Sequence, residues 1–185
     1  MELLLILIVI LAIIAVIIPI VMYNGLVGAR NKARNSFSTI DVNLKKRHDL
    51  IPNLVETVKA YASHEQETLA QVIDARNQAQ AAGGSMGAQA AAEDQLSGAV
   101  GRLFAVSESY PDLRSSDQFL NLQRNLTEVE EQISAARRAY NAAVLSMNNK
   151  VESFPTNLIA SKFGFKALDF FEAGAGERDS VSVKF

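Results

Sequence analysis

An uninterrupted apolar run near the start of the chain constrains this protein more than any other feature. Residues 3–22 carry no charged side chain and are almost all Leu, Ile, Val or Ala. A helix of this length rises by roughly 30 Å, which matches the hydrocarbon thickness of a bilayer. The run therefore predicts a transmembrane helix.

A cleaved signal peptide is the alternative interpretation of this run. Only Glu2 precedes it, without Lys or Arg, and the apolar stretch exceeds the length of about 7–15 residues that is usual for signal peptides. No small-residue cleavage site follows it. We therefore expect an uncleaved membrane anchor over residues 1–22, with Tyr23 just beyond it at the membrane interface.

The charges that flank the anchor predict its orientation. Arg30, Lys32 and Arg34 follow it, whereas only Glu2 precedes it. The positive-inside rule then places the long C-terminal part in the cytoplasm. These three basic residues and Tyr23 are candidate membrane-surface contacts, because a Lys or Arg near anionic lipid contributes about 1 kcal/mol. The alternative is that the three charges set the topology without touching lipid.

Apolar residues recur at alternating spacings of three and four along the rest of the chain, as in helices that pack on one another. The first stripe of this kind predicts one long helix over residues 24–82, which continues from the anchor. A glycine-rich break at residues 83–87 separates it from a second helix, which is expected to end at Tyr110, before Pro111.

A third, long helix is expected from Ser115 or Ser116 to Phe154-Pro155, and Ser115 with Gln118 has the spacing of a capping box. The fold class is therefore predicted as all-α, with the transmembrane helix continuing into a long antiparallel bundle of three long helices plus a short C-terminal helical segment. The second helix is shorter than the other two, so we expect part of their apolar stripes to remain exposed. Such exposed stripes favour association with a second copy of the chain.

Pro52 lies inside the first predicted helix, where it removes a backbone donor and leaves a carbonyl to be satisfied by a side chain or water. The apolar stripe keeps its phase across this position, which favours a kink over an inserted loop. Asp49, Pro52 and Asn53 are therefore the candidate kink or hinge. A fixed kink is the commoner outcome, and a moving hinge is the alternative.

Phe residues are concentrated near the C-terminus, and the last residues alternate apolar with polar as a short strand would. We predict a flexible tail over residues 173–185 that could end in a β-strand. The candidate contacts with another copy or a partner are Phe154, Phe163, Phe165, Phe170, Phe171, Val181, Val183 and Phe185. The alternative is that the Phe cluster covers the end of the helical core of its own chain.

No catalytic, cofactor or metal site is predicted. The chain has no Cys, and its two His residues, His48 and His64, lack the spacing of ligands on one helix face. We expect both His side chains to be solvated or to cap a helix, and Glu128, Glu130 and Glu131 to lie on a solvated face. The net charge of −2 does not fit a nucleic-acid binder.

Several motifs resemble those of the LemA family of bacterial membrane proteins. They occupy residues 23–27, 40–55, 105–113, 137–141, 154–155 and 163–165. The resemblance covers residues 23–172 and implies a single N-terminal membrane helix, a long antiparallel helical bundle and no established enzyme activity. An association of the family with membrane metalloproteases is implied as well.

We therefore expect a non-enzymatic scaffold or adaptor at the bacterial inner membrane, which self-associates through helix–helix contacts. Its expected partners are membrane lipids and further copies of the chain. The alternative function is that of an accessory subunit, which binds a membrane protease or another membrane enzyme. An enzyme of unknown type is a third alternative, for which the sequence offers no polar cluster.

Overall fold

The computed structural model describes residues 1–171, and every regular element in that part of the chain is a helix. The six helices are α1 (Glu2–Tyr61), α2 (Gln66–Ala81), α3 (Met86–Ser107), α4 (Pro111–Arg114), α5 (Asp117–Glu152) and α6 (Thr156–Lys162). The all-α prediction is confirmed for these residues, while the antiparallel arrangement of the long helices stays a prediction. The predicted tail and strand at residues 173–185 lie outside the described part.

Helix α1 is 60 residues long and begins with the predicted transmembrane run. None of the apolar start of α1 is buried against the rest of the chain. Length and composition therefore make this part of α1 a candidate membrane span. The same helix then continues through Pro52 without interruption and ends at Tyr61.

The prediction of one helix from residue 24 to residue 82 is wrong at its far end. Helix α1 stops at Tyr61, and α2 starts only at Gln66 after a turn in which the Glu65 N–H donates to the Ala62 carbonyl at 3.1 Å. Neither Gly nor Pro marks this turn. Ala62 is fully buried, so packing holds the turn in place where local sequence gives no stop signal.

The start of the third long helix also differs from the prediction. Pro111 does not simply end the second helix but opens the short helix α4, because the fixed φ of proline suits a first helical position. Helix α5 then begins at Asp117. The Ser115 hydroxyl donates to the Asp112 carbonyl at 3.1 Å, so it caps no helix N-terminus, and the predicted capping box is wrong.

The described residues form two compact units. The first comprises Met1–Ser38 and Arg138–Asp169, and the second comprises Thr39–Arg137 with Phe170 and Phe171. Helices α1 and α5 therefore contribute residues to both units.

The core of the second unit draws apolar side chains from α1, α2, α3, α4 and α5. Its fully buried members include Ile51, Leu54, Val58, Val72, Leu96, Leu103 and Leu113. Helix α3 enters this core from a capped N-terminus, where the Ser85 hydroxyl accepts a hydrogen bond from the Ala88 N–H at 3.1 Å.

The core of the first unit is smaller and lies around the part of α1 that follows the apolar run. It is formed by Leu26, Ala29, Met147, Ala160 and Phe165. Helix α6 contributes Ala160, and Phe165 follows that helix. The short C-terminal helical segment is thereby packed on α1 in this unit.

The expectation of exposed apolar stripes is wrong. The stripe of α1 is buried within the chain at positions such as Ile40, Leu44 and Ile51. The stripe of α5 is buried as well, at positions such as Ile133 and Met147. Besides α1 and α5, the two cores take apolar side chains from α2, α3, α4 and α6, so the burial does not depend on one short helix alone.

Candidate functional site: a buried charge cluster

Arg47 occupies a core position of α1, where it interrupts the apolar stripe, and its side chain is only 2% exposed. Its Nη2 atom donates to the carboxylate of Glu93 on α3, and its Nη1 atom donates to Oε2 of Glu130 on α5 at 2.5 Å. The Ser97 hydroxyl accepts from the same Nη1 atom at 2.7 Å. A buried charge costs several kcal/mol unless it is paired, and these two carboxylates supply the pairing.

His48 extends this cluster on the next position of α1. Its Nε2 atom lies 3.0 Å and 3.3 Å from the two carboxylate oxygens of Glu93. Burial alone would raise the pKa of Glu93, but the hydrogen bond from His48 and the charge of Arg47 outweigh it and lower that pKa. Glu93 is therefore held as a carboxylate in a nearly inaccessible position.

Two expectations about charged side chains are corrected here, those for His48 and Glu130. His48 is buried and paired rather than solvated, whereas His64 is exposed as expected. Glu130 does not lie on a purely solvated face, because it reaches Arg47 and also accepts from the Ser97 hydroxyl at 3.2 Å. Glu128 and Glu131 are exposed as expected.

The backbone carbonyl of His48 is the acceptor that Pro52 leaves without a helical donor, since a proline has no N–H. Arg76 on α2 donates its Nε–H to this carbonyl at 2.8 Å. The expectation that a side chain or water satisfies the freed carbonyl is thus confirmed. The kink itself, and any hinge motion, stay predictions.

The two other candidate hinge residues make local contacts on α1. Lys45 and Asp49 form an exposed ion pair at 2.6 Å, and this hydrogen bond lowers the pKa of Asp49. The Asn53 carbonyl accepts from the Thr57 hydroxyl at 2.7 Å. Both contacts join neighbouring turns of one helix and reach no other element.

A second charge contact joins α5 to α3 beside this cluster. Arg137 donates from Nη1 to Asp94 at 2.9 Å, and its guanidinium carbon lies 4.8 Å from the ring centroid of Phe171. Phe171 is 1% exposed. This buried position agrees with the alternative interpretation of the Phe cluster as part of the core of its own chain.

A cavity of about 230 Å³ lies beside Arg47. Its walls are mostly apolar and come from α1, α3 and α5; they include Arg47, Ser97, Val100, Phe104, Leu126 and Glu130. Within residues 1–171, no group of three or more His, Asp and Glu side chains is placed to hold a metal ion. Arg47 is paired with Glu93 and Glu130, and these ion pairs join α1 to α3 and α5.

The candidate membrane-surface residues lie in the first unit. The Tyr23 ring contacts the rings of Phe163 and Phe165, with centroids 4.9 Å and 5.7 Å away. Arg30 stacks its guanidinium over Phe165 at 4.9 Å. Lys32 and Arg34 are exposed.

The eight candidate partner contacts divide by exposure. Phe165 and Phe171 are buried within the chain, whereas Phe154, Phe163 and Phe170 are exposed. Val181, Val183 and Phe185 lie outside the described residues.

Comparison with known proteins decides the family. The LemA family matches residues 36–185. The chain belongs to the LemA family. The resemblance found in the sequence motifs is thereby confirmed, and the apolar start of α1 in a protein of this family indicates a membrane protein.

Individual relatives of this LemA-family chain are distant. Magnetosome protein MamQ 1 of Paramagnetospirillum magneticum is 28% identical over 189 residues, which cover 88% of this chain and 70% of that protein. MamQ of Magnetospirillum gryphiswaldense is 27% identical with the same coverage. Protein LemA of Metamycoplasma hominis is 27% identical over 160 residues, which cover 86% of this chain and 73% of that protein.

Proposed function

We propose that this LemA-family protein is a non-enzymatic scaffold or adaptor, which α1 anchors in the bacterial inner membrane and which self-associates there. The continuity of α1 carries the proposal. One helix begins as an exposed apolar run and, before it ends at Tyr61, places Leu54 and Val58 in the core of the second unit. No linker separates anchor from helical domain, so the domain would be presented directly at the membrane.

The buried charge cluster supports a structural role rather than a catalytic one. Arg47 and Glu93 form an ion pair with each other, and both side chains are almost fully buried. Buried polar contacts of this kind can specify which helices pack together. The MamQ relatives are named as magnetosome proteins, and a structural part in a larger assembly is consistent with that description.

The flanking charges support a cytoplasmic helical domain. Arg30, Lys32 and Arg34 follow the apolar run, and only Glu2 precedes it. Within this proposal the long helices run antiparallel, so that a short connection joins each one to the next.

Self-association would use surfaces other than the buried stripes. Among the described helices, α5 keeps two large apolar side chains outward, Leu120 and Leu145. Single exposed apolar residues are ordinary on a soluble surface, so the proposal depends on a direct measurement of the particle mass.

The first test is the mass of the full chain, purified in detergent, by light scattering and single-particle imaging. The proposal expects a uniform particle of several copies that dissociates on dilution. A folded monomer at all concentrations would contradict self-association and favour the accessory-subunit alternative, in which a membrane enzyme supplies the missing contact.

A second test uses the absence of Cys from the chain. Single substitutions Leu120→Cys and Leu145→Cys on α5 should give disulfide-linked dimers when isolated membranes are treated with a thiol oxidant such as copper phenanthroline, if these side chains meet another copy. Glu128→Cys is the matched control, since Glu128 is also exposed on the same helix but is polar. Equal crosslinking at all three positions would indicate random collision.

A further inference from the structure

Three large apolar side chains after the end of α5 are unusually exposed to solvent. Phe154 is 79% exposed, Leu158 is 60% exposed and Phe163 is 56% exposed. Leu158 lies on α6, whose opposite side places Ala160 in the core with Leu26 of α1. Helix α6 is therefore held on α1 by one face while its other face carries apolar groups outward.

Phe163 lies beside the end of the apolar run, and Phe154 follows a residue of α5 that contacts the same part of α1. Tyr23 directly follows residues 3–22, and its ring centroid is 4.9 Å from that of Phe163. Lys150, near the end of α5, donates to the Gly25 carbonyl at 3.0 Å. The end of α5 and the start of the following segment are thus pinned to the turn of α1 that leaves the candidate span.

Position and charge together point to lipid as the occupant. The headgroup layers add roughly 5–8 Å on each side of the hydrocarbon core. If residues 3–22 span the hydrocarbon core, a side chain in contact with Tyr23 lies within the adjoining headgroup layer. Lys162 and Lys166 lie one and three residues from Phe163 in the sequence, and both are exposed. Aromatic rings with neighbouring Lys residues are the composition that favours a bilayer interface with anionic lipid.

We propose that Phe154, Leu158 and Phe163 insert into the bilayer interface around α1, with Lys162 and Lys166 at the anionic headgroups. The chain then contacts the membrane through α6 and its flanks as well as through its span. This inference rests on the membrane anchoring in the proposed function. It assigns Phe154 and Phe163 to lipid, and contact with another copy becomes the competing outcome.

Tryptophan fluorescence tests this directly, because the chain contains no Trp. Phe154→Trp and Phe163→Trp would each be made in the full chain and reconstituted into phosphatidylcholine–phosphatidylglycerol vesicles. Lipids brominated near the headgroup end of their acyl chains should quench both tryptophans strongly. Removing phosphatidylglycerol should weaken the quenching of Phe163→Trp, and Lys162→Gln with Lys166→Gln should abolish this lipid dependence.

Two control variants make the result decisive. Ile10→Trp lies inside the apolar run and should be quenched by bromines deep in the acyl chains. Leu120→Trp is also exposed but lies about 48 Å along α5 from Glu152, at 1.5 Å per residue, and should stay unquenched. Circular dichroism confirms that each variant is folded.

The outcomes separate this inference from the anchoring on which it depends. Unquenched Trp at positions 154 and 163, with Ile10→Trp quenched, overturns the interfacial contact and leaves the anchor intact. A blue-shifted but unquenched Phe163→Trp also overturns it and assigns the surface to a second copy of the chain. An unquenched Ile10→Trp overturns the anchor and the inference together.

Discussion

The Nε atom of Arg76 lies 2.8 Å from the backbone carbonyl of His48, the acceptor that Pro52 leaves without a partner in α1. A side chain from α2 thus replaces the backbone donor that proline lacks. Because the carbonyl has a hydrogen-bond partner, α1 can contain a proline in the segment that packs in the core and still continue to Tyr61.

We expect Arg76→Met to lower the free energy of unfolding by about 1–3 kcal/mol, because it leaves a partly buried carbonyl without a donor. Urea unfolding of the full chain in detergent, followed by circular dichroism, measures this loss. In a Pro52→Ala background the restored N–H can serve the His48 carbonyl, so the same substitution should cost clearly less. Equal losses in both backgrounds would show that the hydrogen bond contributes nothing.

Arg47→Met should destabilise the protein by about 3–5 kcal/mol, because it leaves the Glu93 carboxylate buried without its cation. Lys45→Met is the matched control, since it breaks an exposed ion pair on the same helix, and its cost should be much smaller than that of Arg47→Met. Adding Glu93→Leu to Arg47→Met should recover much of the loss. If Arg47→Met and Lys45→Met lower the free energy of unfolding by the same amount, the cluster does not stabilise the fold.

Glu93 should make stability depend on pH in a definite direction. Its pKa in the folded protein is lower than its ordinary value of 4.5, so folding favours the ionised form. Its contribution is therefore complete above about pH 4.5 and is lost as the pH falls through the lowered folded pKa. Glu93→Gln should show a smaller loss than the parent chain on acidification. Parallel pH profiles for the two would contradict this assignment.

Two glycines should respond oppositely to alanine. A Cβ at Gly101, inside α3 and beside the Arg47 cavity, would meet nothing within 4 Å, so Gly101→Ala should stabilise by about 0.5–1 kcal/mol through helix propensity. Gly164 has a φ of +71°, so Gly164→Ala should cost about 1–2 kcal/mol. Thermal unfolding midpoints check both signs, and a destabilising Gly101→Ala would mean that the cavity wall does not accept a methyl group.

Features with a local or periodic cause were predictable from the sequence. The charge-free run of residues 3–22 leaves few alternatives to a membrane span, since none of its side chains is charged and almost all are apolar. The spacing of apolar residues predicted helices, and the glycine-rich break at residues 83–87 falls where α2 ends and α3 begins. The loss of a backbone donor at Pro52, which leaves one helical carbonyl in need of another partner, followed from covalent structure alone.

In the sequence, the charge cluster around Arg47 was indicated only by the fact that Arg47 interrupts the apolar stripe. That interruption does not show which acidic residues pair with Arg47. Glu93 and Glu130 lie 46 and 83 residues away in sequence, and no local rule joins residues so far apart. The same holds for Arg76, which finds the His48 carbonyl only because α2 packs against α1.

What the sequence by itself determined is which segments are helical, which one suits a membrane, and which family the chain belongs to. Only the tertiary structure decided that α1 ends at Tyr61, that His48 is buried, and that Phe165 is enclosed while Phe163 stays open. Helix formation and membrane preference depend on neighbours in sequence. Burial and charge pairing depend on which distant segments meet, and the net free energy of those contacts is set only when the whole chain has folded.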